Sequence, residues 1–149
     1  MNVPDLFRLD GQVALITGGS RGLGLHMARA LGAMGCRVAI TARKADELAQ
    51  ARSELQARGI EVLTLVGDLQ QLDTIPALVD EAASGLGAID ILVNNAGTTW
   101  GAPAEDHPDE AWHKVMNLNV NAPFFMARAV GRRCMIPRRS GKIINVASV

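Results

Sequence analysis

Apolar residues in this chain fall into two alternating patterns. Short runs, almost continuously apolar and rich in β-branched residues, recur at 12–17 (QVALIT), 37–41 (RVAIT), 61–66 (EVLTLV), 89–93 (IDILV) and 142–147 (KIINVA). Both rows of side chains on such a strand are apolar, so it is predicted to be covered on both faces. Between the runs the apolar positions take helical spacing. Leu23, Met27, Ala30, Leu31 and Met34 mark a first helix. Leu48, Ala51, Leu55 and Arg58 mark a second, with Gly59 as its C-terminal stop. Ile75, Leu78, Val79 and Ala82 mark a third. A fourth helical stretch is predicted from about 108 to 133, with Pro108 in its first turn and a kink or break at Pro123.

Strict alternation of strand and helix predicts an α/β fold: a doubly wound parallel sheet with helices on both faces. Right-handed crossovers then give about five strands in the order 3-2-1-4-5. The 149 residues suit a single domain spanning 1–149, with no repeat or linker.

The turn after the first run reads Thr17-Gly18-Gly19-Ser20-Arg21-Gly22-Leu23-Gly24. Glycines here let the backbone leave the strand sharply and approach a pyrophosphate, which the free N–H groups of the next helix then bind. Gly24 also allows close helix–sheet packing. The spacing Gly18-x-x-x-Gly22-x-Gly24 matches neither the strict G-x-G-x-x-G pattern nor a Walker A loop. Taken alone, the glycines fit a purely geometric turn as well.

Composition narrows the classes. Lys plus Arg and Asp plus Glu are both 15, so no bulk charge recruits nucleic acid or an anionic membrane. Aromatic residues make up only 3%, too few for a stacking platform. No run reaches the roughly 18 apolar residues of a membrane helix, and the N-terminus lacks a signal-peptide pattern. A cytoplasmic location is expected. Cys36 and Cys134 read as buried or free thiols, with a bridge between them left open. His26, His107 and His113 show no metal-ligand spacing, so no metal site is expected.

The second run ends Thr41-Ala42-Arg43-Lys44. An NAD site places an acid about there to hold the ribose 2′-hydroxyl. Ala42 leaves room for a 2′-phosphate instead, Arg43 can pair with it, and Arg21 adds a second positive charge. NADP(H) is therefore the expected cofactor. The alternative for Arg43 is a solvated residue before a helix. Asp46 and Glu47 read as acids of a helix first turn.

TGGSRGLG (17–24), GDL (67–69), NNAG (94–97), NLNV (117–120) and NVAS (145–148) together resemble the classical short-chain dehydrogenases/reductases, in order and over the whole chain. It resembles members acting on 3-oxoacyl thioesters or on sugar acids such as gluconate, and the sequence does not separate those substrates. The resemblance implies a Rossmann-type fold and hydride transfer between nicotinamide and a carbonyl or secondary alcohol. It assigns cofactor contacts to Gly18, Ser20, Arg21, Gly22, Leu23, Gly24, Arg43, Asp68, Leu69, Asn95, Ala96 and Gly97. Asp68 would accept from the adenine amine or, as the alternative, serve as a helix N-terminal cap. Asn95 would tie neighbouring strands together. Asn119 would shape a helix bend and hold a relay water, and Ser148 would hydrogen-bond the substrate carbonyl, or else cap a helix. Trp100 would border a substrate cleft or pack on the core.

The family's Tyr-x-x-x-Lys motif would follow Ser148, and the chain contains no tyrosine. Three readings follow: the N-terminal part of an NADP(H)-dependent reductase, inactive by itself; a non-catalytic dinucleotide-binding module; or a truncated gene product. In each, Ile143, Ile144 and Val146 are expected on an open apolar sheet edge. The resemblance also implies a homo-oligomer assembled through the fourth helix, with Met116, Phe124, Phe125 and Met126.

Overall fold

Five parallel strands form the frame of the computed structural model, which describes residues 2–147. They are β1 (Val13–Thr17), β2 (Arg37–Ala42), β3 (Val62–Val66), β4 (Ile91–Asn94) and β5 (Lys142–Asn145). Their order is β3-β2-β1-β4-β5, the doubly wound arrangement. The register pairs Ile16 with Ile40 and with Val93, so the central strands end level with one another. The helices are α1 (Gly22–Ala33), α2 (Ala45–Ala57), α3 (Ile75–Leu86), α4 (Asp109–Met116), α5 (Ala122–Val130) and α6 (Ile136–Arg138).

The pleat divides the core. Ala14, Ile16, Val38, Ile40 and Val62 face α1 and α2. Val13, Leu15, Ala39, Leu65 and Leu92 face α3 and α5. Each central strand is buried on both sides, which is why it reads as a continuous apolar run. Cys36 belongs to the first cluster and Cys134 to the second. Both thiols are free, and the sheet between them rules out a bridge.

Four expectations change. The buried face of α1 is Gly24, Leu25 and Ala28, whereas Leu23 and Met34 are exposed. Contact is made through small residues: a Cβ on Gly32 would lie 2.5 Å from Ile60 Cγ2. A rule that counts large side chains therefore finds only part of the face: Met27 and Leu31 pack against the core, whereas Leu23, Ala30 and Met34 are exposed. The fourth helical stretch continues to Arg138 in three segments, joined by π-helical turns at Asn117–Asn121 and Gly131–Met135. Pro123 has no N–H to donate to Asn119, and the wide turn before it carries the helix past the missing bond. Pro108 is the N-cap of α4, in extended conformation, and not a first-turn residue. Met126 is fully buried against the sheet, so it cannot serve an intersubunit surface, while Phe124 is exposed.

The edge strand β5 is thinly covered. Ile143, Ile144 and Val146 are 43%, 47% and 39% exposed, as an uncovered edge requires. Among the described residues no helix is long and apolar enough to cross a membrane.

Candidate functional site

The topology reverses direction between β1 and β4, and the crevice beyond their carboxyl ends is where open α/β sheets take ligands. Thr17 ends β1 there and is fully buried. Its Oγ1 accepts from the backbone N–H groups of Asn95 at 3.0 Å and Ala96 at 2.9 Å, and donates to Val93 O at 3.4 Å. Asn95 answers from the other strand: its Nδ2 donates to Thr17 O at 3.0 Å and Gly18 O at 3.2 Å. Four of these five bonds therefore join β1 or its turn to the segment after β4. The expectation that Asn95 ties neighbouring strands describes this geometry.

The glycine loop closes over that clamp. Gly18 has φ +62° and lies so close to Ala96 that a Cβ would sit 3.1 Å from its Cα. On Gly24 a Cβ would lie 2.1 Å from Gly18 O and 2.6 Å from Asn95 Nδ2. Gly22, at φ +54°, instead borders open space. The loop's backbone is thus pinned on one side and free to meet a ligand on the other.

The result is a groove of about 310 Å³, within the usual range for small-molecule sites. It gathers every expected cofactor residue: Gly18, Ser20, Arg21, Gly22, Leu23, Gly24, Arg43, Asp68, Leu69, Asn95, Ala96 and Gly97. Asp68 accepts from Gln70 N–H at 3.0 Å in the turn before Leu72–Thr74, whereas the helix N-caps that follow are Gln71 and Thr74, so Asp68 is not a helix cap. Asn119 lies in the first π-helical turn and brackets one residue of the next loop: its Oδ1 accepts from Thr98 N–H and its Nδ2 donates to Thr98 O, both at 2.9 Å. Ser148 lies outside the described residues. Trp100 is half exposed, away from both the core clusters and the groove.

Sequence reasoning missed Thr41, Lys44, Glu47, Gly67 and Leu118, all of which border the groove. Thr41 is 1% exposed and its Oγ1 has no partner. Its place at the end of β2 was the available signal. Lys44 Nζ donates to Glu47 Oε1 at 3.0 Å, Ser20 Oγ donates to Glu47 Oε2 at 3.2 Å, and Arg21 lies 3.9 Å from the same carboxylate. The Lys44 hydrogen bond does most to hold the Glu47 carboxyl below the usual carboxylate range; Arg21 and Ser20 add to it and partial burial opposes it. Glu47 is therefore more than a first-turn helix acid. Arg43 is exposed beside it. No group of His, Cys, Asp and Glu among the described residues is arranged to hold a metal ion.

Comparison with known proteins agrees with this architecture. The family model described as "short chain dehydrogenase" matches residues 12–149. Gluconate 5-dehydrogenase of Gluconobacter oxydans (strain 621H) is 44% identical over 149 residues, all of this chain and 58% of the relative. 2-Dehydro-3-deoxy-D-gluconate 5-dehydrogenase of Escherichia coli (strain K12) is 41% identical over 143 residues, 96% of this chain and 56% of the relative. The crystal structure of a gluconate 5-dehydrogenase from Burkholderia cenocepacia J2315, in complex with NADP and tartrate, superposes with a TM-score of 0.92 at 40% identity, covering 99% of this chain and 57% of that one. The chain thus spans a little over half the length of these relatives. The match to the family model extends over nearly every residue, and the chain belongs to the short chain dehydrogenase family.

Proposed function

We propose that the groove binds NADP(H), and that the chain is the dinucleotide-binding part of an oxidoreductase moving hydride between nicotinamide and a carbonyl or secondary alcohol. The observation that carries this reading is the pinned glycine loop facing a groove with Ala42, not an acid, at the end of β2 and with Arg21, Arg43 and Lys44 around it. The residues fit the group. The open side of Gly22 and the first turn of α1 offer backbone N–H groups to a pyrophosphate. Ala96 and Gly97 offer a surface without bulky side chains. When bound, the nicotinamide supplies or accepts the hydride. The protein's share is to grip the phosphates, fix the ring's position and place Asn119 near the loop that begins at Thr98.

Sugar acids are the substrate class we favour, because several relatives bear gluconate-type names and one relative's structure holds tartrate beside NADP. The family resemblance gives proton transfer to a tyrosine, and the 149 residues contain none. The 149-residue polypeptide is accordingly expected to bind without turnover. Fluorescence titration tests the first part: NADPH should bind at least tenfold tighter than NADH, and Arg43→Ala should erase most of that difference. Equal affinities would refute the 2′-phosphate reading. Steady reduction of a keto-sugar acid by mass-verified 149-residue protein would refute the second part.

A further inference from the structure

Binding of a 2′-phosphorylated dinucleotide leaves one charge in the groove unexplained. Glu47 is an acid on the adenosine side of a site meant for an anion, and its carboxylate already holds Ser20, Lys44 and Arg21. We propose that Glu47 is a specificity-determining residue: its carboxylate occupies the anion position that these three side chains offer, and so weakens the preference for a phosphorylated over an unphosphorylated 2′-position. This inference rests on the reading that the groove takes NADP(H).

Stabilising the α2 dipole does not account for the arrangement. Asp46 stands beside Glu47 in the same first turn, is exposed and does not border the groove. It serves the dipole equally well without reaching the glycine loop. Glu47 reaches across 27 positions of sequence to Ser20, whose own side chain is buried. A phosphate arriving here must displace that hydrogen bond, share the cations, and sit beside a like charge. An unphosphorylated ribose meets none of these penalties, and a carboxylate is a good acceptor for its hydroxyls. The groove therefore combines the cations of a phosphate site with the acid of a hydroxyl site, placed five positions beyond the end of β2, where that acid usually stands.

The test compares 2′,5′-ADP with 5′-ADP by calorimetry on the 149-residue chain and its Glu47→Gln variant. The substitution is isosteric and lies on a partly exposed turn, so the fold is not at stake. Removing one charge a few Å from the phosphate in a solvent-screened site should tighten 2′,5′-ADP about fivefold. The affinity for 5′-ADP should stay within about twofold or weaken. The gain for 2′,5′-ADP should shrink at high salt, which a change in shape alone would not produce. Unchanged or weaker 2′,5′-ADP binding in Glu47→Gln would overturn the inference, because the carboxylate would then be orienting the cations and not competing for them. That outcome leaves the NADP(H) reading standing. A wild-type chain that binds neither probe would overturn both.

Discussion

Thr17→Val is the sharpest probe of the clamp that shapes the groove. Valine keeps the size and branching of threonine but has no oxygen. The side chain is 1% exposed and its Oγ1 serves two backbone N–H groups, of Asn95 and Ala96, at 3.0 and 2.9 Å. Stranding a buried donor costs about 1–3 kcal/mol. Both residues are only partly buried, so water can reach the vacated donors in part. Taking about 1–1.5 kcal/mol for each of the two donors gives a total of about 2–3 kcal/mol. For a chain of this length each kcal/mol moves the melting temperature by roughly 2–4 °C, so Tm should fall by about 5–10 °C. Thr17→Ser keeps the oxygen and loses one methyl, and should cost only about 1 kcal/mol. The assay is a pair of urea and thermal unfolding curves, with NADPH affinity measured on each protein. Binding should weaken together with stability, since Ala96 and Gly97 lose the anchor that sets their distance from the glycine loop. A Thr17→Val protein that melts within 1 °C of wild type, or that loses stability yet binds NADPH normally, would refute this account.

Three further outcomes are expected. Gly24→Ala places a Cβ 2.1 Å from Gly18 O, a backbone atom that cannot swing aside. It should cost about 2–3 kcal/mol and abolish NADPH binding at concentrations that saturate wild type; a normal titration would contradict the close-approach argument. Asp90 accepts from Val13 N–H at 2.9 Å and pairs with Arg138 at the opposite end of the sheet. Asp90→Ala should lower urea stability by about 2 kcal/mol and leave NADPH affinity within twofold, as a competition titration would show. Burial, with the Asp90 carboxylate adding to it, pushes the Cys36 thiol up to about 11. A raised thiol pKa favours the folded state fully below the unfolded value and less as pH climbs past it, so the wild type should lose stability between pH 9 and 11 more steeply than Cys36→Ala. Identical slopes in the two proteins would refute that assignment.

The parts of the fold legible in the sequence are those where one physical demand acts on one residue type. Buried parallel strands need apolar side chains on both faces, so β1, β2 and β4 appeared as runs close to their true bounds. The groove was legible because the glycines, Asn95 and Ala96-Gly97 serve a backbone geometry that other residues fit poorly. Where contact is made through missing atoms, the reading failed. The α1 face of Gly24, Ala28 and Gly32 looked like the weak side of the helix, and Leu23 looked like the strong one. Thr17 and Glu47 failed for another reason. Thr17 acts through partners 76 to 79 positions away and Glu47 reaches Ser20 across 27, and no local periodicity encodes such distances.

The two ends of the sheet consequently obey different rules. At the amino end, Asp90 joins β1, the start of β4, the start of β5 and Arg138: it accepts from Val13 N–H through its side chain and from Lys142 N–H through its carbonyl. These bonds hold strands in place and touch nothing in the groove. At the carboxyl end, Thr17, Gly18, Gly24 and Asn95 form one contact set that both stabilises the domain and fixes the ligand-facing backbone. Stability and binding are therefore coupled at one end and separable at the other. A groove built this way cannot easily be retuned through its clamp, because every change there is also a folding mutation. On the proposed NADP(H) reading, cofactor choice is expected to fall instead to the rim, to Arg43, Lys44 and Glu47, where side chains are at least partly exposed and substitutions cost little stability.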